Sequence, residues 1–267
     1  MYFDIKDKNT LLDKEEEISQ LFLDSFGKPL SRDEWRWFYI DNPVGDPYVS
    51  LFYENGKLLG HYAVLPTRLS FRGNSFIAYR SMTTMVHPDG RGKGLFTELA
   101  KRVYSMLEAD GASMVYGFPN ANSAPGFIKN LGWTLLVPDR VFDFSGSEIL
   151  DNPELQAALL KSAVIEWDSI DEAQEKWRLA MPGVTIKREP GLVLKEYQGC
   201  WNVLHIDSSG LLSMESDAIY RVLLDKSFSN SDSGEIGLFD YQFGFRIFDE
   251  KYSGSDFRRE LIMSDVF

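Results

Sequence analysis

Two periodicities alternate along the first half of the chain. Between Leu12 and Phe26 the apolar residues Ile18, Leu21, Phe22 and Phe26 share one face of a 3.6-residue repeat, which predicts a helix. Ser31-Arg-Asp-Glu34 has the spacing of a capping box and opens a second helix. That helix carries Trp35, Trp37, Phe38 and Tyr39 and stops at Asn42-Pro43. The period then falls to two. Tyr48–Tyr53 reads as a strand, Asn55-Gly56 as a hairpin turn, and Lys57–Phe71 as the return strand, interrupted at Pro66. Gly73-Asn74 turns into a long strand, Phe76–His87. Helical spacing returns at Leu95, Leu99, Val103 and Leu107 and runs to about Ala109. A strand over Ala112–Gly117 follows. Next comes a short helix capped by Asn122 or Ser123, with Pro125 in its first turn and Gly132 at its end. Trp133–Phe144 continues as strand.

Between the long strand and the long helix lies Pro88-Asp-Gly90-Arg-Gly92-Lys-Gly94. A glycine loop at a helix start leaves backbone N–H groups unpaired and pointing one way, which with the helix dipole suits a phosphate or pyrophosphate. Arg91 and Lys93 add positive charge there. A nucleoside-triphosphate loop would need Ser or Thr after Lys93, where Gly94 stands. A dinucleotide loop would need a third glycine where Thr97 stands, and an acid ending the next strand, which Met114–Gly117 lacks.

Val86-x-Pro88-x-x-Arg91-Gly92-Lys93-Gly94-Leu95 resembles the acetyl-coenzyme A loop of the Gcn5-related N-acetyltransferase (GNAT) superfamily, whose pattern is Gln/Arg-x-x-Gly-x-Gly/Ala. Arg91 and Gly94 match, and Phe96 stands where the family has a small residue. The family's short helix follows Asn-x-x-Ala…Tyr-x-x-x-Gly-Phe. Here Ala124 and Gly132-Trp133 match, the asparagine is displaced to Asn122 or Asn120, and the tyrosine position holds Ile128. The resemblance covers about residues 10–144 and implies an α/β fold with a mixed sheet, the acyl-CoA N-acyltransferase fold. It assigns the backbone of Arg91, Gly92, Lys93, Gly94, Leu95 and Phe96 to the pyrophosphate of acetyl-CoA. It assigns Met85 and Val86 to the pantetheine arm, and Asn120, Asn122 and Ser123 to the thiol end. It also implies direct attack of an amine on the thioester. With Ile128 in the tyrosine position, the proton-handling candidates are Tyr116, on the strand floor, and Phe267, whose terminal carboxylate enters the site in some tandem members of the superfamily.

Beyond Ser145 the residues Gly146, Ser147, Asp151, Asn152 and Pro153 read as a linker. A faint echo follows it. Glu34-Trp35-Arg36, then Asn42-Pro43 and a strand, is answered by Glu175-Lys-Trp177-Arg178, then Met181-Pro182 and a strand near Leu192–Tyr197. Trp201–Asp207 reads as strand and Glu215–Phe228 as helix, with one glycine and no cation in the turn between them. The expectation is two tandem copies of one fold: residues 1–146 hold the acetyl-CoA loop, and residues 147–267 are a degenerate copy. An unrelated α/β domain is the alternative for the second part.

Composition narrows the function further. The chain has 267 residues, 44% hydrophobic, ample for a packed core. A net charge of −12 argues against a nucleic-acid partner, and no apolar run is long enough to span a membrane. The single cysteine, Cys200, rules out an intrachain disulfide and points to the cytoplasm. No His/Cys cluster has metal-ligand spacing, so no metal is expected. The expectation is therefore a cytoplasmic N-acetyltransferase, monomer or homodimer, using acetyl-CoA as co-substrate. A subgroup tied to cell-surface sugars is similar over the Trp-Arg-Trp…Asn-Pro and Gly117-Phe-Pro-Asn-Ala-Asn-Ser stretches, which makes the amine of an amino sugar, free or nucleotide-linked, the first acceptor class. The alternatives are a non-catalytic acyl-CoA sensor and an aminoacyl transferase fed by transfer RNA. Glu34, Asp41 and Asp46 are candidates to hold a cationic acceptor.

Overall fold

The computed structural model describes residues 1–226, 228 and 238–264. The chain opens with β1 (Tyr2–Ile5), α1 (Lys8–Leu12), α2 (Glu15–Phe26) and α3 (Arg32–Tyr39). A meander follows, β2 (Tyr48–Glu54), β3 (Lys57–Phe71) and β4 (Asn74–Val86). Then come α4 (Leu95–Ala109), β5 (Met114–Gly117), α5 (Ala124–Leu131) and β6 (Thr134–Leu135). The later elements are β7 (Asp139–Ser145), α6 (Gly146–Asp151), α7 (Pro153–Leu159), β8 (Ile165–Trp167) and α8 (Glu172–Leu179). A second meander, β9 (Ile186–Glu189), β10 (Leu192–Tyr197) and β11 (Cys200–Ile206), leads to β12 (Ile219–Asp225), β13 (Phe239–Tyr241) and β14 (Gly244–Ile247).

These strands form two mixed sheets, the α/β architecture that the sequence implied. The first runs β1-β2-β3-β4-β5-β14-β6, with β8 added to β3, and the second runs β13-β7-β12-β11-β10-β9. Both follow one plan. Each has a three-stranded antiparallel meander, then a parallel strand, then an antiparallel strand from the other part of the chain, then a short edge strand. In the first sheet β4 and β5 pair in parallel only at Tyr79–Val115 and Arg80–Tyr116, then separate. In the second, β11 and β12 pair in parallel only at Trp201–Tyr220 and Asn202–Arg221. The division expected after residue 146 is crossed three times, the first being β8, which pairs with β3. β7 completes the second sheet by pairing with β12, and β14 completes the first by pairing with β5.

Turn chemistry sets the registers. Asn55-Gly56, Arg72-Gly73 and Gln198-Gly199 all have positive φ at both residues, as the two-residue hairpin turn matching strand twist requires. The capping box at Ser31 and Glu34 forms as expected and engages Glu34 Oε2. Asp41 lies 3.5 Å from Arg36.

Several elements differ from the sequence reading. β1 was unexpected; its four residues cover the β2 edge. β3 is continuous through Pro66, because Pro66 falls between the part of β3 paired with β2, which ends at Val64, and the part paired with β8, which starts at Leu69. No neighbour there needs the N–H that proline lacks. The stretch Trp133–Phe144 splits at Pro138 into β6 and β7, on different sheets. The small polar residues after it are helix caps and not a linker: Ser145 forms a capping box with Glu148, and Asn152 caps α7. Glu215–Phe228 is not a helix. Tyr220, Val222 and Leu224 alternate inward along β12, and period two wins over a run too short to close a helical face.

The core packs on both faces of the first sheet. On one, α4 places Leu99, Val103 and Leu107 against Leu59, Tyr62 and Val115. On the other, Trp35, Trp37 and Tyr39 of α3 lie with Met82, Met85 and Trp177. All three α3 aromatics are buried, as is Phe38.

Candidate active site

The glycine loop sits where β4 hands over to α4. Gly90 is buried, and a Cβ there would come 3.0 Å from Leu95 Cδ1 and 3.1 Å from the Leu59 carbonyl oxygen. Gly92 and Gly94 have φ of 78° and 72°, a conformation that disfavours side chains. Gly94 is the N-cap of α4 and brings no capping side chain. Among the described residues the N–H groups of Gly92, Gly94, Leu95, Phe96 and Thr97 make no hydrogen bond within the protein. They form a cradle for an anion at the positive end of a 15-residue helix. Lys93 is held at 2.5 Å by Glu54, and Arg91 is exposed with no ion pair among the described residues.

Next to the cradle, β4 has a free edge. Because pairing with β5 ends at Arg80, the β5-facing backbone from Ser81 to Val86 has no strand partner. β4 also carries a bulge: between the pairs His61–Met85 and Ala63–Met82 it has one residue more than β3. Thr83, at φ 44°, absorbs it, and Met82 and Met85 therefore face the same core. Two side chains hold the bulge. Tyr39 OH is hydrogen-bonded to Thr83 Oγ1, and His61 Nδ1 lies 2.9 Å from the Thr83 carbonyl oxygen. Burial pushes the His61 pKa down to about 4, so the ring is neutral and donates from Nδ1. His87 caps the turn at Pro88 and accepts from Asp89 N–H at 3.1 Å.

The third wall is α5. Ser123 is the N-cap of α5, as expected, though its side chain makes no capping bond; in the turn before it, Asn120 Oδ1 accepts the N–H groups of Asn122 and Ser123, both at 3.0 Å. The odd Phe96 is accommodated by Gly126, where a Cβ would lie 2.6 Å from Phe96 Cε1. The Phe96 ring then meets Phe127 edge-on at 5.0 Å. Ile128, in the family's tyrosine position, is 51% exposed.

On the opposite face of β4 and β5 the floor is polar but sealed. Tyr116 is fully buried, and its hydroxyl donates to the Met263 carbonyl at 3.4 Å. Arg80, paired in register with Tyr116, is also buried and donates to the Ser264 carbonyl at 3.3 Å. Arg178 Nη2 donates to the same oxygen at 3.1 Å. Phe267 lies outside the described residues. Of the residues expected at the site, the loop Arg91–Phe96 follows the unpaired end of β4, which carries Met85 and Val86, while the Met85 and Tyr116 side chains are buried in the core. The sequence reading did not single out Arg80. The signal for Arg80 was present: it takes an inward position in the alternation Ala78, Arg80, Met82.

The corresponding place in the second sheet is plugged. After β11 the Asp207 carboxylate accepts from Ser209 N at 2.8 Å, Ser209 Oγ at 2.6 Å and Gly210 N at 3.3 Å. These bonds hold its pKa below the usual carboxylate range. A single turn, Gly210–Ser213, replaces the long helix. The separated ends of β11 and β12 border a cavity of about 550 Å³ lined by His205, Glu260 and Asp139.

Residues 8–136 match the family model of the acetyltransferase (GNAT) domain. Residues 8–136 belong to the GNAT superfamily. Solved structures extend the GNAT likeness beyond that segment. A GCN5-related N-acetyltransferase from Kribbella flavida superposes with a TM-score of 0.63 at 13% identity, over 93% of this chain and 72% of that one. One from Anabaena variabilis gives 0.61 at 12%, over 93% and 73%. A GCN5-related glucosamine N-acetyltransferase region of a fungal multi-domain GH3 β-N-acetylglucosaminidase gives 0.54 at 13%, over 92% and 38%. At these identities the likeness is one of fold, and it includes the second sheet. No curated protein matches the chain in sequence.

Proposed function

We propose that this GNAT protein is an acetyl-CoA-dependent N-acetyltransferase acting on a primary amine of a small molecule, with an amino sugar as the first acceptor class. The observation that carries this reading is the cradle: five unpaired N–H groups from Gly92 to Thr97 beside a free β4 edge. A pyrophosphate matches the first in charge and a pantetheine arm, with its two amides, matches the second. In the reaction the amine nitrogen bonds to the thioester carbonyl carbon, the C–S bond breaks, and the nitrogen gives up a proton. An N–H on the unpaired β4 edge from Ser81 to Val86 would polarise that carbonyl, and the proton passes to solvent, since the Tyr116 hydroxyl is buried against the Met263 carbonyl. The fungal neighbour, a glucosamine N-acetyltransferase region, supports the sugar acceptor.

The second sheet is read as a degenerate copy of the first. Its shared strand plan and its plugged cradle support this, as do the helix caps Ser31 and Asp171, which stand 140 residues apart. The lone Cys200 accords with a cytoplasmic enzyme.

Calorimetry with acetyl-CoA tests the site, on the wild type and on Gly94→Glu, which puts a negative side chain into the cradle. Binding lost only in the variant supports the reading, and no binding to the wild type removes it. A panel of free and nucleotide-linked amino sugars then tests the acceptor. The exposed Ile128 favours a second reading, a non-catalytic acyl-CoA sensor, which predicts binding without turnover across that panel.

A further inference from the structure

β11 and β12 pair in parallel only as far as Asn202 and Arg221, and beyond that point their ends part. The gap between them is the cavity of about 550 Å³, within the size range of small-molecule sites. One part of its wall is apolar and includes Leu136, Leu159, Val222, Leu224, Phe257 and Leu261. Lys161 and Ser162 also line it and are exposed, so the cavity is reached from solvent.

Two carboxylates stand in the rest of the wall, and each has one oxygen engaged and one to spare. Asp139 Oδ1 is 2.8 Å from Arg259. Glu260 Oε1 is 2.8 Å from His205 Nδ1 and 3.2 Å from Arg258. The cations beside the two acids are thus turned to the same single oxygen of each. Among the described residues the other oxygens, Asp139 Oδ2 and Glu260 Oε2, are buried without a hydrogen-bond partner. Asp139 is 3% exposed and Glu260 8%, so neither is an ordinary solvated acid. An ionised oxygen taken out of water with no donor is costly. The cost shows at Asp139, where burial pushes the pKa up to about 7.

What this wall lacks is therefore a donor. An N–H that carries positive charge makes the strongest such bond to a carboxylate, and an apolar body suits the leucine side of the cavity. We propose that the cavity between β11 and β12 is a binding site for a small primary amine with an apolar body, its ammonium drawn by the carboxylates of Asp139 and Glu260. No bond is made or broken there. The site belongs to the second sheet and does not rest on the acyl-CoA reading of the first.

Calorimetry on the full chain with 2-phenylethylammonium tests this. Its comparison ligands are 2-phenylethanol and 3-phenylpropionate, which keep the ring and replace the cation by a hydroxyl and by an anion. The variants are Asp139→Asn and Glu260→Gln, which keep side-chain shape and turn an acceptor into a neutral amide; thermal unfolding without ligand checks that each is folded. In the wild type the ammonium is expected to bind about tenfold tighter than the alcohol, and the propionate not to bind. Each variant is expected to lose about tenfold in affinity for the ammonium and little for the alcohol. Should one variant fail to fold, the other variant and the comparison of the three ligands decide. An ammonium bound equally by the wild type and both variants sits elsewhere in the chain, and that result would overturn the proposal. So would an alcohol bound as tightly as the ammonium, or a wild type that binds no ammonium.

Discussion

Trp37 and Trp177 each donate their indole N–H to the other's backbone carbonyl, at 2.7 and 2.9 Å, with the rings stacked 5.0 Å apart. The two residues are equivalent positions on α3 and α8, each six residues past its helix cap, Ser31 and Asp171. The pair relates the two helices by a local two-fold axis. Replacing Trp177 with Phe leaves the Trp37 carbonyl without its donor in a buried site. The expected loss is about 1–3 kcal/mol in denaturant unfolding. Trp37→Phe adds less than its own cost to that variant, because the two bonds share one interface.

The fit of Phe96 to Gly126 sets the position of the α4 N-terminus. Gly126→Ala puts a methyl group 2.6 Å from the Phe96 ring. It should destabilise the protein by about 1–3 kcal/mol despite the better helix propensity of alanine, and weaken acetyl-CoA binding severalfold. Adding Phe96→Ala removes the clash. If the double variant binds no better than Gly126→Ala, the contact does not position the cradle.

On the proposed reading of the second sheet as a copy, the Asp207 carboxylate, bonded to Ser209 N and Oγ, fills the place of the anion. Calorimetry should therefore give one acetyl-CoA per chain. A stoichiometry of two would show that the plug opens.

Asp139 lies 2.8 Å from Arg259 at the cavity between β11 and β12, yet among the described residues its Oδ2 has no hydrogen-bond partner. Burial, opposed by Arg259 and reinforced by Asp225, pushes its pKa up to about 7. A folded pKa above the unfolded one means that the folded state binds the extra proton. The stabilisation is complete below about pH 4 and is lost as pH rises through about 7. Unfolding free energy should fall by about 2–4 kcal/mol across that window from this group. Asp139→Asn should flatten the step. A wild type and variant with parallel pH profiles would contradict it.

Much of the first sheet and its cleft could be read in the sequence because their signals are local. The glycines of the loop, the cap at Ser31, the turn at Asn55 and the α4 spacing each act within a few residues. What was missed depends on contacts distant in sequence. β7 pairs with β12 and β13 and not with its chain neighbours, so period and composition around Pro138 could not place it. The echo around Trp177 was seen, but with Trp35 as its partner; the structure pairs Trp37, since side-chain identity misled where helix register decides.

The exchange of β7 and β14 also governs when the cleft can exist. Until Gly244 arrives to pair with Gly117, β5 is the open margin of an unfinished sheet. A ribosome must therefore release the chain as far as β14 before the β5 edge is covered. A fragment ending after α5 would expose a raw strand edge and invite aggregation. The second part of the chain, through β14, is thus the scaffold that closes the first sheet.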